Sequence, residues 1–261
     1  MSEDAGKSAD LPVVTAALVV IGDEVLSGRT KDKNIGYIAE YLTAIGIDLA
    51  EVRVVPDRTE AIVEAVNVLR ARNDYVFTTG GIGPTHDDIT ADAIAAAFGV
   101  GIKVDERAVA MLKQRYPEAE LTPARLRMAR LPDGAEPIAN PVSLAPGFRI
   151  ENVHVMAGVP RIMQAMLDEI VPTLQTGRRL LSATIEMVRP ESMISDALRA
   201  LQNDNADVMI GSYPGIDQRG FITKVVVRTA DRDRLETVAD EISAMIERVT
   251  GGAGTRLGDE T

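Results

Sequence analysis

Residues 14–22 read VTAALVVIG, an unbroken apolar run rich in β-branched residues, and the pattern then changes period. Such a run suits a strand buried on both faces, and Ile35, Ile38, Leu42 and Ile45 next fall on one face of a helix that Gly46 closes. The alternation repeats. Residues 47–56 form a second strand candidate, 58–72 a helix with Ile62, Ala65, Val66 and Leu69 inward, and 74–79 a third strand. Strand, helix, strand, helix, strand predicts a parallel sheet with right-handed crossovers. A helix over 88–98 stopped by Gly99, short helices over 105–118 and 123–131, a strand over 149–156 and a helix over 160–174 complete the expected first domain. Its architecture is α/β, a three-layer, mostly parallel sheet.

The polar, glycine-containing stretch at 175–179 (QTGRR) marks a boundary. We place a first domain over 13–177 and a smaller carboxyl-terminal α+β domain over 180–250. The latter reads strand 183–188, helix 191–203, strands 206–213 and 220–228, and helix 232–249. Residues 1–12 are expected to be a disordered amino terminus, and the glycine-rich 251–261 a flexible tail.

Composition narrows the function classes. With 28 Lys and Arg against 39 Asp and Glu, the formal charge of −11 leaves no basic surface for a nucleic-acid backbone. Zero cysteines exclude disulfides, thiolate metal sites and cysteine nucleophiles. No signal-peptide core or bilayer-spanning run is present, so a cytoplasmic protein without a membrane partner is expected.

Candidate chemistry concentrates in residues 75–90, YVFTTGGIGPTHDDIT. Gly80, Gly81 and Gly83 suit a turn that aims backbone amides at a phosphate, with the following helix adding the positive end of its dipole. Asp87 and Asp88 would repel that phosphate unless a divalent cation, Mg²⁺ or similar, lies between them. In an open parallel sheet the loops after each strand meet at the strands' carboxyl ends. These loops carry Gly22, Asp23 and Glu24, then Pro56 and Asp57, then Thr79 to Asp88. The competing reading makes each acid a helix cap, and Thr85 to Asp88 has capping-box spacing. For Asp57 the two readings weigh equally; for Asp87 and Asp88 function is preferred. The run SGRTKDKN at 27–34 reads first as a solvated loop and second as a cationic edge for another phosphate, and His86 as an ion-pair partner rather than a catalyst. No GxxxxGK[ST] loop, HExxH helix or GxSxG elbow occurs.

Together, Gly22-Asp23-Glu24, Pro56-Asp57, Thr79 to Thr85 with Asp87 to Thr90, Asn140, Ala145-Pro146-Gly147 and Gly158-Val159-Pro160 resemble the molybdopterin-binding (MoaB/Mog-like) superfamily. Within it the chain is most similar to the amino-terminal portion of the CinA (competence/damage-inducible protein A) family and to the related domain of FAD synthase. The resemblance continues through Glu191-Ser192 and Ile210 to Pro214. It implies metal-dependent cleavage of a dinucleotide-type diphosphate such as ADP-ribose or FAD, yielding AMP, with molybdopterin binding or adenylylation as the alternative and a non-catalytic nucleotide-binding module as a third reading. It further implies that Asp88 and Asp57 are catalytic and that Asp87 and Asp88 hold the metal. Gly22, Asp23, Glu24, Thr79, Gly80, Gly81, Gly83, Thr85, Asn140, Pro146, Gly147 and Gly158 would line the ligand site. A small-molecule nucleotide or pterin is the expected partner, in a homo-oligomer. The chain departs from the family at Ala157 and Ile162, where a proline and an acid are usual.

Overall fold

The computed structural model describes residues 11–258, so the expectation for the amino terminus lies almost wholly outside the described residues. The chain divides into two compact units, one of residues 13–43 and 47–176, the other chiefly of residues 177–258.

The first unit is built on β1 (Val14–Ile21), β2 (Ile47–Val55) and β3 (Tyr75–Thr79), joined by crossovers that contain α1 (Asp23–Leu26), α2 (Asn34–Ala44) and α3 (Thr59–Arg70). α4 (Thr90–Phe98) follows the glycine loop, and β4 (Ile102–Val104), α5 (Glu106–Lys113), α6 (Pro123–Arg127) and β5 (Arg130–Pro132) make an excursion whose two strands pair with each other. The chain returns through β6 (Glu136–Ile138), β7 (Gly147–Ile150), β8 (Val153–Met156) and α7 (Pro160–Ile170). The sheet order is β2-β1-β3-β8-β7-β6; β1, β2, β3 and β8 are parallel, while β7 and β6 run against them. β1 lies inside the sheet between β2 and β3, and Ala16 to Ile21 are all buried, which is why it reads as a continuous apolar run. Ile62, Val66 and Leu69 of α3 and Ala93, Ile94 and Ala97 of α4 pack in one apolar cluster with Val19, Ile21 and Val76 of the sheet.

The strand expected over 149–156 is a hairpin. Glu151 adopts φ 49° and breaks it, and the Asn152 amide donates to the Arg70 and Asn73 carbonyls, fixing the turn. The helix expected from 88 begins at Thr90, because the Asp88 carboxylate is engaged in the preceding bend.

The second unit contains β9 (Leu181–Met187), α8 (Ser195–Asp204), β10 (Met209–Asp217), β11 (Gly220–Thr229), α9 (Arg232–Thr250) and β12 (Thr255–Arg256). Its antiparallel sheet has the order β10-β11-β9-β12. Leu235, Val238, Ile242 and Ile246 of α9 close a core with Ile185, Val225 and Val227. Residues 251–258 are not a loose tail. Gly251 at φ 67° ends α9, Thr255 and Arg256 pair with β9, and Arg256 makes a bidentate ion pair with Glu236. The strand expected over 206–213 starts at Met209 and runs on to Asp217; Pro214 is tolerated within it because β10 is an edge strand.

Candidate functional site

Four loops meet at the carboxyl ends of the parallel strands. The Asp23 amide donates to the Asp57 carboxylate at 2.9 Å, tying the loop after β1 to the loop after β2. The Gly80 amide donates to the Met156 carbonyl at 3.1 Å, tying the loop after β3 to the end of β8. Gly80 (φ 106°) passes so close to β1 that a Cβ would lie 2.1 Å from the Ile21 carbonyl oxygen, and a Cβ on Gly158 would lie 3.2 Å from the Gly80 Cα. Finally, the Asn34 side-chain amide donates to the Gly158 carbonyl at 2.9 Å. These contacts place residues 22–24, 57, 79–81 and 158 together.

Gly80 and Gly81 (φ 66°) form the turn, whereas Gly83 keeps an ordinary φ. Thr90, fully buried, fastens this turn to α4: its hydroxyl donates to the Gly80 carbonyl at 2.9 Å and its amide to the Gly81 carbonyl at 3.0 Å. Sequence reasoning passed over Thr90, although its position two residues after Asp88 was part of the motif.

The two aspartates behind the turn are held differently. Asp88 Oδ2 accepts the Thr85 amide at 2.8 Å and the Thr85 hydroxyl at 2.5 Å, closing the loop onto itself. A Cβ on Gly83 would stand 2.6 Å from that carboxylate oxygen, so glycine there makes room for the inward Asp88. Asp87 lies in the exposed part of the loop, 3.9 Å from His86, and a hydrogen bond from the Thr85 side chain, ahead of the His86 charge, lowers its pKa. Among the described residues no three acidic or imidazole side chains form a metal cage. The carboxylate at the centre of the acidic loops is Asp57. Desolvation raises its pKa above the usual carboxylate range against the opposing Asp23 amide bond, and the charges of Glu24, Asp23 and Asp87 push it further the same way. Glu24 folds back over Gly22, where a Cβ would meet its carboxylate at 2.6 Å.

Cations flank the turn. Arg127 donates to the Asp88 carbonyl at 3.3 Å and, with Gly81, Gly83, Arg130 and Pro146, lines a small cleft on one side of the glycine loop. On the other side a cavity of about 240 Å³ is bordered by the 30–34 segment, Glu24, Thr79 and Gly158, with Lys31 and Lys33 at its edge. The loop over 27–34 is therefore part of the site's rim. Asn140 is not: its amide is spent on Val142, Ser143 and Ala145 of its own loop. Gly147 serves the sheet, since a Cβ there would overlap the Val155 carbonyl at 2.2 Å.

A mostly parallel α/β sheet with a left-handed glycine turn and an acidic cluster at the carboxyl ends of its strands places the first unit among the open-sheet α/β proteins. The chain belongs to the family described as "probable molybdopterin binding domain", whose model matches residues 17–176, and residues 179–250 match the middle domain of FAD synthase. A protein of Caldivirga maquilingensis is 35% identical over 246 residues, covering 89% of this chain and 96% of the relative. One of Aeropyrum pernix is 35% identical over 251 residues, covering 91% and 92%. Among solved structures, the protein CinA of unknown function from Thermoplasma acidophilum matches at 37% identity with a TM-score of 0.59, covering 62% of this chain and 98% of that one. Among the described residues no helix is long and apolar enough to cross a membrane.

Proposed function

We propose that this protein hydrolyses the phosphoanhydride of a dinucleotide-type diphosphate such as ADP-ribose or FAD, releasing AMP. The observation that carries the reading is the meeting of the Gly80-Gly81 turn with Asp57, a carboxylate of raised proton affinity held by the Asp23 amide.

With the Gly80 amide taken by the Met156 carbonyl, the amides of the loop beyond it, at Gly81, Ile82 and Gly83, would donate to the diphosphate oxygens, and Arg127, Lys31 and Lys33 would offset its charge. Asp57 would take a proton from the attacking water; its raised pKa brings it nearer the working range of a general base. The water oxygen bonds to phosphorus, the bridging P–O bond breaks, and the leaving phosphate carries away that bond's electron pair. Asp88 becomes a positioning residue, since its carboxylate is occupied by Thr85. The donor set suits a magnesium-type ion that keeps most of its water and arrives with the phosphates, held by Glu24 or Asp87 while Asp57 stays free as the base, and does not suit a resident metal in a protein cage. Such an ion supplies charge neutralisation on the transferring phosphorus.

Incubating the protein with ADP-ribose or FAD and a panel of divalent metals should release AMP, measured by chromatography. No AMP under any metal would overturn the proposal. The family description favours a pterin ligand as the second reading; copurifying molybdopterin, detected by fluorescence after oxidation, together with absence of hydrolysis, would select it.

A further inference from the structure

The six-stranded sheet of the first unit ends in two very different edges. One edge strand, β6, has three residues; the other, β2, has nine, and among the described residues it pairs with β1 alone. A long row of unpaired amides and carbonyls is a template for another strand, and proteins commonly guard it. Of the common guards β2 (IDLAEVRVV) has no proline and no lysine. Its bulge against Ala16 and Ala17 leaves Glu51 to Val55 in unbroken register with β1.

The orientation of this edge follows from one bond. The Val55 carbonyl accepts the amide of Gly22, the residue after β1, so the main-chain groups of Glu51, Arg53 and Val55 face β1 and those of Val52 and Val54 face outward. The side chains divide by face as well. Val52 and Val54 are 37% and 36% exposed, while Glu51 and Arg53, on the opposite face, are half-buried and bridged to each other at 2.7 Å.

This edge is complementary to itself when read backwards. With two copies of β2 antiparallel about a symmetry axis through Val52, that residue faces its own copy, Glu51 faces Arg53, Ala50 faces Val54 and Leu49 faces Val55. Apolar residues meet apolar residues, and each acid meets a base. Moving the axis to Glu51 or to Arg53 sets like charges opposite each other, and an axis between residues sets a charge opposite a valine. The hydrogen bonding agrees with the same register, because an outward-facing Val52 on the axis exchanges both bonds with its copy.

We infer that β2 is a self-association edge, through which two copies of this chain join β2 to β2 in that register and fuse their sheets into one. The Glu51–Arg53 bridges of the two copies merge into a single network across the axis, and the exposed valines cover their counterparts. Because the joined strands run in opposite directions, the two glycine turns lie at opposite ends of the fused sheet and neither site closes the other. The inference stands apart from the proposed hydrolysis, which uses no residue of 49–55.

The test is sedimentation velocity on the full chain between about 1 and about 100 μM, where wild type should become a dimer. Glu51→Arg and Arg53→Glu each set like charges opposite each other on both sides of the axis, and each should raise the dimer dissociation constant about 100-fold or more. Both positions are partly exposed, so each variant should keep the circular dichroism spectrum and melting temperature of dilute wild type. The rescues decide the register. Mixed in equal amounts, the two single variants should form a heterodimer, since the acids of one then face the bases of the other. The double variant Glu51→Arg/Arg53→Glu should dimerise by itself, with an affinity within about fivefold of wild type. Dimerisation lost in both single variants and restored in both rescues supports the inference. A wild type that stays monomeric or forms a trimer, a dimer that either charge reversal leaves intact, or a loss that either rescue fails to repair overturns it.

Discussion

Lowering the pH should loosen the sheet that carries the glycine turn, and the residue responsible is His154. It lies on β8, 2% exposed, stacked on Phe77 at 5.3 Å and edge-on to Tyr75 at 5.9 Å, with neither ring nitrogen hydrogen-bonded. Burial is the main cause that drops its pKa from 6.5 to about 4, and Arg149, its cross-strand partner on β7, acts in the same direction. The folded protein thus binds this proton less readily than the unfolded chain. The stability it contributes is fully present above pH 6.5 and is lost as the pH falls toward 4. At about 1.4 kcal/mol per pH unit, and allowing for half-protonation of the folded form at pH 4, the loss between pH 7 and pH 4 is about 3 kcal/mol. Other carboxylates titrate over the same range, so the measurement is a difference. Urea unfolding of wild type and His154→Phe is followed by tyrosine fluorescence, which weights the first unit, where Tyr37, Tyr41, Tyr75 and Tyr116 lie. The variant keeps an aromatic ring in the stack and has no proton to accept. Its stability relative to wild type should therefore rise by about 3 kcal/mol from pH 7 to pH 4. Parallel curves, within about 1 kcal/mol across that range, would refute the reasoning.

Three other perturbations separate positioning from chemistry. Thr90→Val strands the Gly80 carbonyl that its hydroxyl now satisfies, and should cost about 1–3 kcal/mol in urea unfolding and weaken pyrophosphate binding, with Thr90→Ser restoring both. Asp57→Asn keeps an acceptor for the Asp23 amide but removes a charge from among Glu24, Asp23 and Asp87. Because the folded state favours the protonated carboxyl, the variant should match or exceed wild-type stability at pH 7, an advantage that vanishes at acid pH, while AMP release falls about 100-fold; a stable variant of normal rate would exclude Asp57 as the base. Deleting residues 253–258 removes β12 and the Arg256–Glu236 pair, and should lower the unfolding free energy of the second unit by about 1–2 kcal/mol, measured by chemical denaturation.

The parts of the fold that were legible in the sequence are those where burial is two-sided or strictly periodic. β1 and β3 are covered on both faces, so their apolar runs name them, and α3 declares itself through Ile62, Val66 and Leu69. The 147–156 hairpin was not legible, because its turn rests on Glu151 in a left-handed conformation, with no glycine to announce it. β4, β5 and β6 have three residues each, too few to show a period. Strand-end logic places Asp57 and the glycine turn at one edge of the sheet, and the structure brings those loops together there. Asp87 and Asp88 are neighbours along the chain but stand differently in the bend: Asp88 accepts the Thr85 amide and hydroxyl, while Asp87 lies beside the exposed His86. Asn34 and Thr90 escaped notice, each looking like an ordinary helix-start residue until its long-range bond to Gly158 or Gly80 is known.

The net charge of −11 and the proposed anionic ligand are in tension only if charge is averaged over the molecule. At the site the arrangement is local and directional. Backbone amides of the loop beyond Gly80 carry no net charge to be offset elsewhere, and Lys31 and Lys33 border the cavity with no acidic ion-pair partner among the described residues. The acids sit to one side, around Asp57, where their mutual repulsion already weakens the charged form of that carboxyl. A bare diphosphate approaching that side meets like charge, whereas one carrying a divalent cation relieves the repulsion as it binds. The acidic cluster would then favour the metal-loaded form of the ligand over the free anion. Asp88, although it belongs to the recognisable motif, contributes by holding the loop shut through Thr85, so the motif joins a residue that shapes the cradle to neighbours that would act in it.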